Sequence, residues 1–165
     1  MERMEEASIG TQSLYMWYVP RGLLECICLF QLGEEERAAA SCEEAVELLE
    51  REIASNPHDA RLHVANGHAF ALLGRKEEAV RAGERAVELV PISEDALNGP
   101  LQVIELAKIY SRIGERDEAL RLIDELLSIP CDLSVGMLRL DPVWDPLRDH
   151  PRFQALLEKY DTATE

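Results

Sequence analysis

Aromatic residues make up only 5 % of this 165-residue sequence, and 17 Lys and Arg stand against 32 Asp and Glu, a net charge of −15. That balance argues against sequence-independent nucleic-acid binding, which needs clustered bases to neutralise phosphates. No apolar run approaches the ~20 residues of a membrane-spanning helix. The run Leu14–Val19 is too short for a signal h-region, and residues 1–13 hold three Glu and one Arg where a basic segment would stand. The four cysteines match no disulfide framework and no zinc pattern by spacing. Val, Ile and Phe form no alternating pattern, so no strand is expected. These absences predict a cytoplasmic chain with neither nucleic-acid nor membrane partners.

Motifs of catalysis are missing as well. There is no HExxH, no CxxC pair, no calcium loop of EF-hand spacing and no GxSxG, and GRKEEA at 74–79 lacks the glycines of a phosphate loop. Of the histidines His58, His63, His68 and His150, the pair His63 and His68 would point about 140° apart on a helix. Cys26 and Cys28 diverge similarly. Cys26 and Cys42 are expected as buried structural thiols, because one sits at a small-residue packing position and the other on an inward helix face. The sequence therefore predicts no catalytic residue, no metal ligand and no cofactor, and hence no enzyme.

What the chain does contain is helix, with the abundant Ala, Leu and Glu of close-packed helices. The stretch from Pro57 to Pro91 carries the pattern best. Leu62, Ala65, Ala69 and Leu73 share one helical face, with Phe70 beside them; after Gly74, a second helix aligns Ala79, Ala82, Ala86 and Leu89. Small residues at 67, 79 and 86 recur where two helices of a hairpin would cross. With Gly67, Phe70, Gly74, Ala79, Ala86 and Pro91 at its spacing, this 34-residue unit resembles a tetratricopeptide repeat. His63 and Asn66 depart from the pattern, standing where that family prefers an aromatic and a large apolar residue. The resemblance implies an all-α fold: a right-handed helical solenoid of three helix-turn-helix repeats with a helical C-terminal cap. For function it implies only a binding scaffold, because such repeats serve many unrelated partners.

Taken in order, residues 1–12 read as a flexible N-terminal segment and 13–160 as a single repeat domain. Its repeats fall at about 13–56, 57–91 and 92–130, its cap at 131–160, and 161–165 form a tail. A first helix is expected from Ser13 to Leu32, kinked near Val19 by Pro20. Gly33 marks the turn into a helix lengthened by seven residues, nearly two whole turns, which keeps its buried face in phase. After Pro91, Ser93 is expected to cap a short helical turn through Leu97 before Asn98-Gly99-Pro100 breaks the chain. Gly114 marks the third turn. In the tail the three X-Pro pairs at Pro142, Pro146 and Pro151 divide the chain into short helical turns, and Phe153, Leu156, Leu157 and Tyr160 form a last amphipathic helix. From about Met16 to Tyr160, the segments YVPRGLLECICLFQLGE, the 57–91 unit with its flanks and LLSIPCDLSVGMLRLDPVWDPLRDHPRFQALLEKY also resemble the C-terminal repeat region of multidomain bacterial signalling proteins. On that resemblance the chain, beginning at Met1 without a head domain, would be a detached module or an excised fragment.

In the tetratricopeptide family the first helix of each repeat lines an inner groove. The resemblance places Leu23, Ile27 and Phe30 there from the first repeat, Arg61, Val64, His68 and Leu72 from the second, and Ile104, Lys108 and Arg112 from the third. Such a groove is apolar at one end and basic at the other, suited to a peptide or protein segment with an acidic group. Lys108 and Arg112 could equally serve to offset nearby acids. Leu23 and Ile27 stand where a carboxylate-clamping subtype carries lysine and asparagine, which argues against that mode. Trp144 is either a core plug of the cap or part of a tail, LRLDPVWDPL, folded back into the groove. The alternative to peptide binding is a spacer or self-association role through Tyr15, Trp17 and Tyr18, expected on an uncovered first helix.

Overall fold

The computed structural model describes residues 11–14 and 17–161, with side chains from Tyr18 onward. The chain forms two compact units, Met1–Leu89 and Val90–Glu165. Each is all-α in its packing, apart from one short hairpin at the start of the first.

Pro20 sets the beginning of the first helix. Its ring fixes φ and it has no N–H to give, so a helix can follow it but cannot run through it undisturbed. Pro20 is the extended N-cap (φ −64°, ψ 151°) of α1, Arg21–Gln31. Ahead of it, β1 (Thr11–Leu14) pairs antiparallel with β2 (Trp17–Pro20), Thr11 facing Pro20. The expected helix from Ser13 and the expected absence of strands are both corrected by this hairpin. Trp17, Tyr18 and Val19 are strand formers, and the residue before a proline is driven to extended backbone.

The first unit continues with α2 (Glu35–Ser55), α3 (Ala60–Leu72) and α4 (Lys76–Leu89), each packed on its predecessor, while β2 packs on both α1 and α3. Gly33 and Gly74 turn the chain between helices with φ of +74° and +72°, in the left-handed region that residues with a Cβ avoid. Asp59 starts α3 by accepting from the Arg61 backbone N–H at 3.0 Å. The core holds Leu23 and Leu29 of α1, Ala45, Val46 and Leu49 of α2, and Leu62, Ala65 and Ala69 of α3, closed by Ala79 and Ala86 of α4. Ala69, Ala79 and Ala86 are fully buried, as close helix crossing requires.

Cys26 and Cys42 form a disulfide within this core, each 1 % exposed. This corrects the expectation of separate buried thiols. Each residue is small and inward-facing, and together they let α1 and α2 approach to a Cα–Cα distance of 5.2 Å, inside the ~4.4–6.8 Å range that a disulfide bridges. Sequence spacing does not show this, because the bridge joins two helices of one hairpin and follows no small-domain framework. The pairing also removes the cysteines from the case for a cytoplasmic chain.

In the second unit Asp95, not Ser93, organises the turn after Pro91. Its Oδ1 accepts from the backbone N–H of Leu97 (3.1 Å) and Asn98 (2.8 Å), and no helix forms there. Gly99 and Pro100 then open α5 (Gly99–Ile113) instead of breaking the chain. A proline in the first turn lacks only an N–H that would have no partner there. After Gly114 comes α6 (Arg116–Leu127), then α7 (Val135–Leu140), a 3-10 helix at Pro142–Leu147 and α8 (Pro151–Asp161). Ser134 caps α7, and Asp141 caps the 3-10 helix by accepting from the Val143 N–H at 3.0 Å. Trp144, Leu147 and Phe153 are buried against this core, and α8 packs on α6 and α7.

Candidate functional site

The groove candidates divide between the units, and each set meets a different environment. In the first unit Leu23 and Val64 are buried, at 2 % and 8 % exposure. Ile27, Arg61, His68 and Leu72 are half-buried, and only Phe30 is open, at 52 %. Arg61 is held by its own cap: Nε and Nη2 donate to Asp59 Oδ1 and Oδ2 at 2.9 and 2.7 Å. That fork raises the guanidinium above its ordinary value and holds the Asp59 carboxyl below the usual carboxylate range. A groove contact by Arg61 would have to compete with this pair.

Around Phe30 the surface is apolar. Leu24, Ile27 and Phe30 follow at i, i+3 and i+6 along α1, with Leu24 47 % exposed. Leu32, just past the helix end, is 72 % exposed. Cys28 on the same helix is an exposed free thiol. Leu24 and Leu32 were not among the sequence candidates. The spacing of Leu24 to Ile27 was legible, but Leu24 falls outside the inner-groove positions of the repeat pattern.

In the second unit Ile104 is buried at 4 %, so it packs the core. Lys108 Nζ donates to Glu105 Oε1 at 2.8 Å. Arg112 is half-buried, and burial pushes its guanidinium below its ordinary value against the opposing pull of Glu105 and Asp141. Next to it, the fully buried Ser111 hydroxyl donates to the Val143 carbonyl at 2.8 Å. The 142–147 segment thus lies against α5, and Trp144, at 1 % exposure, is a core residue of this unit. The basic end of the expected groove is compensated by acids of its own unit.

Of the aromatic run proposed for self-association, Tyr15 lies outside the described residues, as do the side chain and surroundings of Trp17. Tyr18 is half-buried on β2, a strand and not an exposed helix. Among the described residues no helix is long and apolar enough to cross a membrane, and no group of three or more His, Cys, Asp or Glu is placed to hold a metal ion.

Helical hairpins joined by left-handed glycines, with alanines at the crossing points, define an all-α fold of tetratricopeptide type. Residues 103–134, covering most of α5 and all of α6, match the family model of the tetratricopeptide repeat. No curated protein and no solved structure matches the chain. Repeats of this type generally mediate protein–protein interaction.

Proposed function

We propose that this chain is a non-catalytic protein–protein interaction module whose first unit receives a peptide or protein segment along α1. The observation that carries the reading is the apolar row Leu24, Ile27 and Phe30, with Leu24 and Phe30 open on a helix of a strongly acidic chain. Large apolar side chains left uncovered in series cost solvation, and a partner that covers them recovers about 1.5–3 kcal/mol for each one fully buried. Half-buried Ile27, His68 and Leu72 extend the surface proposed for α1 and α3, and a preformed helical surface carries little ordering cost on binding. Lys108 and Arg112 remain proposed contacts for an acidic group, working against the Glu105 and Asp141 that already face them.

A displayed peptide library selected on the full chain, followed by titration of the enriched peptides, tests this. The double substitution Leu24→Ser, Phe30→Ser is expected to weaken the selected peptides at least tenfold while far-ultraviolet circular dichroism stays unchanged. Equal affinity for both proteins would overturn the assignment to α1. Self-association is the second reading, carried by the same uncovered row. Light scattering over a wide concentration range would show a mass that rises in the native chain and stays monomeric in the double variant.

A further inference from the structure

A second surface of the first unit lies on the side of α3 turned away from the groove candidates. At about 100° per residue, Arg61, Val64, His68 and Leu72 share one face of α3, and His63, Asn66 and Phe70 the opposite one. This second face floors a cleft of about 490 Å³ walled by α2 and α4. Its size falls within the ~300–1,000 Å³ usual for ligand sites.

Asn66 is the first observation. It is 6 % exposed, and its Oδ1 is buried with no hydrogen-bond partner. An orphaned buried acceptor is destabilising, and a leucine of similar volume would avoid that cost. Its nearest buried neighbours on α3, Leu62, Ala65, Ala69 and Phe70, are apolar, so packing alone does not demand an amide there. Asn66 lines the cleft, where an N–H from a bound group could satisfy it.

The guanidinium row formed by Arg75, just before α4, and by Arg81 and Arg85 on it is the second observation. Arg75 is committed: it donates to Glu78 at 2.8 Å, lies 3.8 Å from Glu43 and stacks over the Phe70 ring at 4.5 Å. Arg85 is held by Glu88 at 3.0 Å. Arg81, one turn before Arg85, forms no ion pair within 4 Å among the described residues, although its charge reaches the Glu78 carboxylate that Arg75 holds, and it lines the same cleft. The cleft therefore offers one guanidinium fork that no carboxylate holds in a direct ion pair, and one buried acceptor. A fork of this kind matches a carboxylate bidentately.

We propose that the cleft between α2, α3 and α4 binds an acidic peptide segment, one Glu or Asp carboxylate seated on Arg81 and a backbone N–H of the segment donating to Asn66 Oδ1. A peptide supplies both halves of this requirement. An inorganic phosphate dianion brings excess charge for a single guanidinium and is too short to span Arg81 and Asn66 as an extended segment can. Glu50, across the cleft on α2, disfavours a highly charged anion further.

The test is a titration of the ¹⁵N-labelled full chain with acetyl-Gly-Gly-Glu-Gly-Gly-amide, with its Gln counterpart and with inorganic phosphate. The Glu peptide is expected to shift the Asn66 side-chain amide and the Arg81 Nε signals saturably. Its affinity should exceed that of the Gln peptide at least fivefold and fall at least fivefold in Arg81→Ala. Asn66→Leu is expected to raise the unfolding midpoint and abolish the peptide-induced shifts at Arg81. Shifts confined to α1, no saturable shifts at all, equal response to the Gln peptide, or equal shifts with phosphate would each overturn the proposal. The Leu24→Ser, Phe30→Ser protein should bind the Glu peptide as the native chain does, so failure at α1 and failure at this cleft are read separately.

Discussion

A single buried amide and a single missing Cβ have consequences that can be measured. A Cβ built on Gly99 would lie 2.7 Å from both the Cα and N of Ile92, backbone atoms that cannot swing aside. Gly99→Ala is expected to destabilise the second unit by about 1–3 kcal/mol, as overpacking does, and denaturant unfolding would show it. Asp59→Asn separates the cap from the charge, because asparagine caps as well as aspartate but cannot pair with Arg61. Its native carboxyl is held low by the Arg61 hydrogen bonds, so the paired charge stabilises above the ordinary Asp value of about 3.9. That contribution fades as pH falls through the lowered folded value. The variant should therefore be less stable at neutral pH, by up to about 1 kcal/mol for a partly exposed pair, and the difference should vanish in acid. A pH series of chemical denaturation checks both limbs. Residue identity signalled these sites unevenly. Asn66 stood out as a departure from the repeat pattern, yet nothing in the sequence told that its oxygen would be orphaned in a cleft that Arg81 also lines.

Elements with strong periodicity were legible, and those decided by a proline or a side-chain cap were less so. The α3–α4 hairpin follows the expected turn at Gly74, and α5 and α6 the turn at Gly114, because apolar period and glycine position agree there. The first helix was misplaced because the apolar run 14–19 suits a strand as well as a helix, and Pro20 settles the choice. At the other end, α8 docks on α6 through side chains 35 and 36 residues apart in sequence. Lys159 Nζ and Tyr160 Oη both donate to Asp124 Oδ1 at 2.9 Å, which holds that carboxyl below the usual range. Asp124→Ala is expected to loosen α8 while leaving α5 and α6 paired, seen as faster amide exchange confined to residues 151–161. No periodicity in the sequence announces a contact of that range.

At the scale of the molecule, the sequence conveyed the helical class and missed the covalent link. The disulfide closes a 16-residue separation around the α1–α2 turn. In the chain-entropy view a loop of that size stabilises by about 3 kcal/mol. Reduction, or Cys42→Ser, should lower the protection of α1 and α2 amides by that amount and leave α5 and α6 unchanged, which hydrogen exchange with and without reductant would show. The α1 row proposed for binding stands on the helix that this bridge anchors, so peptide affinity there should fall on reduction, whereas a site floored by α3 should be affected less.

The glycines at 33, 74 and 114 each turn the chain with φ of +72° to +83°, and a Cβ at any of them would meet nothing within 4 Å. Space is therefore no obstacle at these joints; handedness is. An L-alanine would have to enter a conformation costing about 1–2 kcal/mol, while its mirror image is at rest there. A semisynthetic chain carrying D-alanine at 114 should fold at least as stably as the native chain, by up to about 1 kcal/mol from the stiffer unfolded state. At these three bends the achiral residue stands in for a mirror-image amino acid that ribosomal synthesis does not supply.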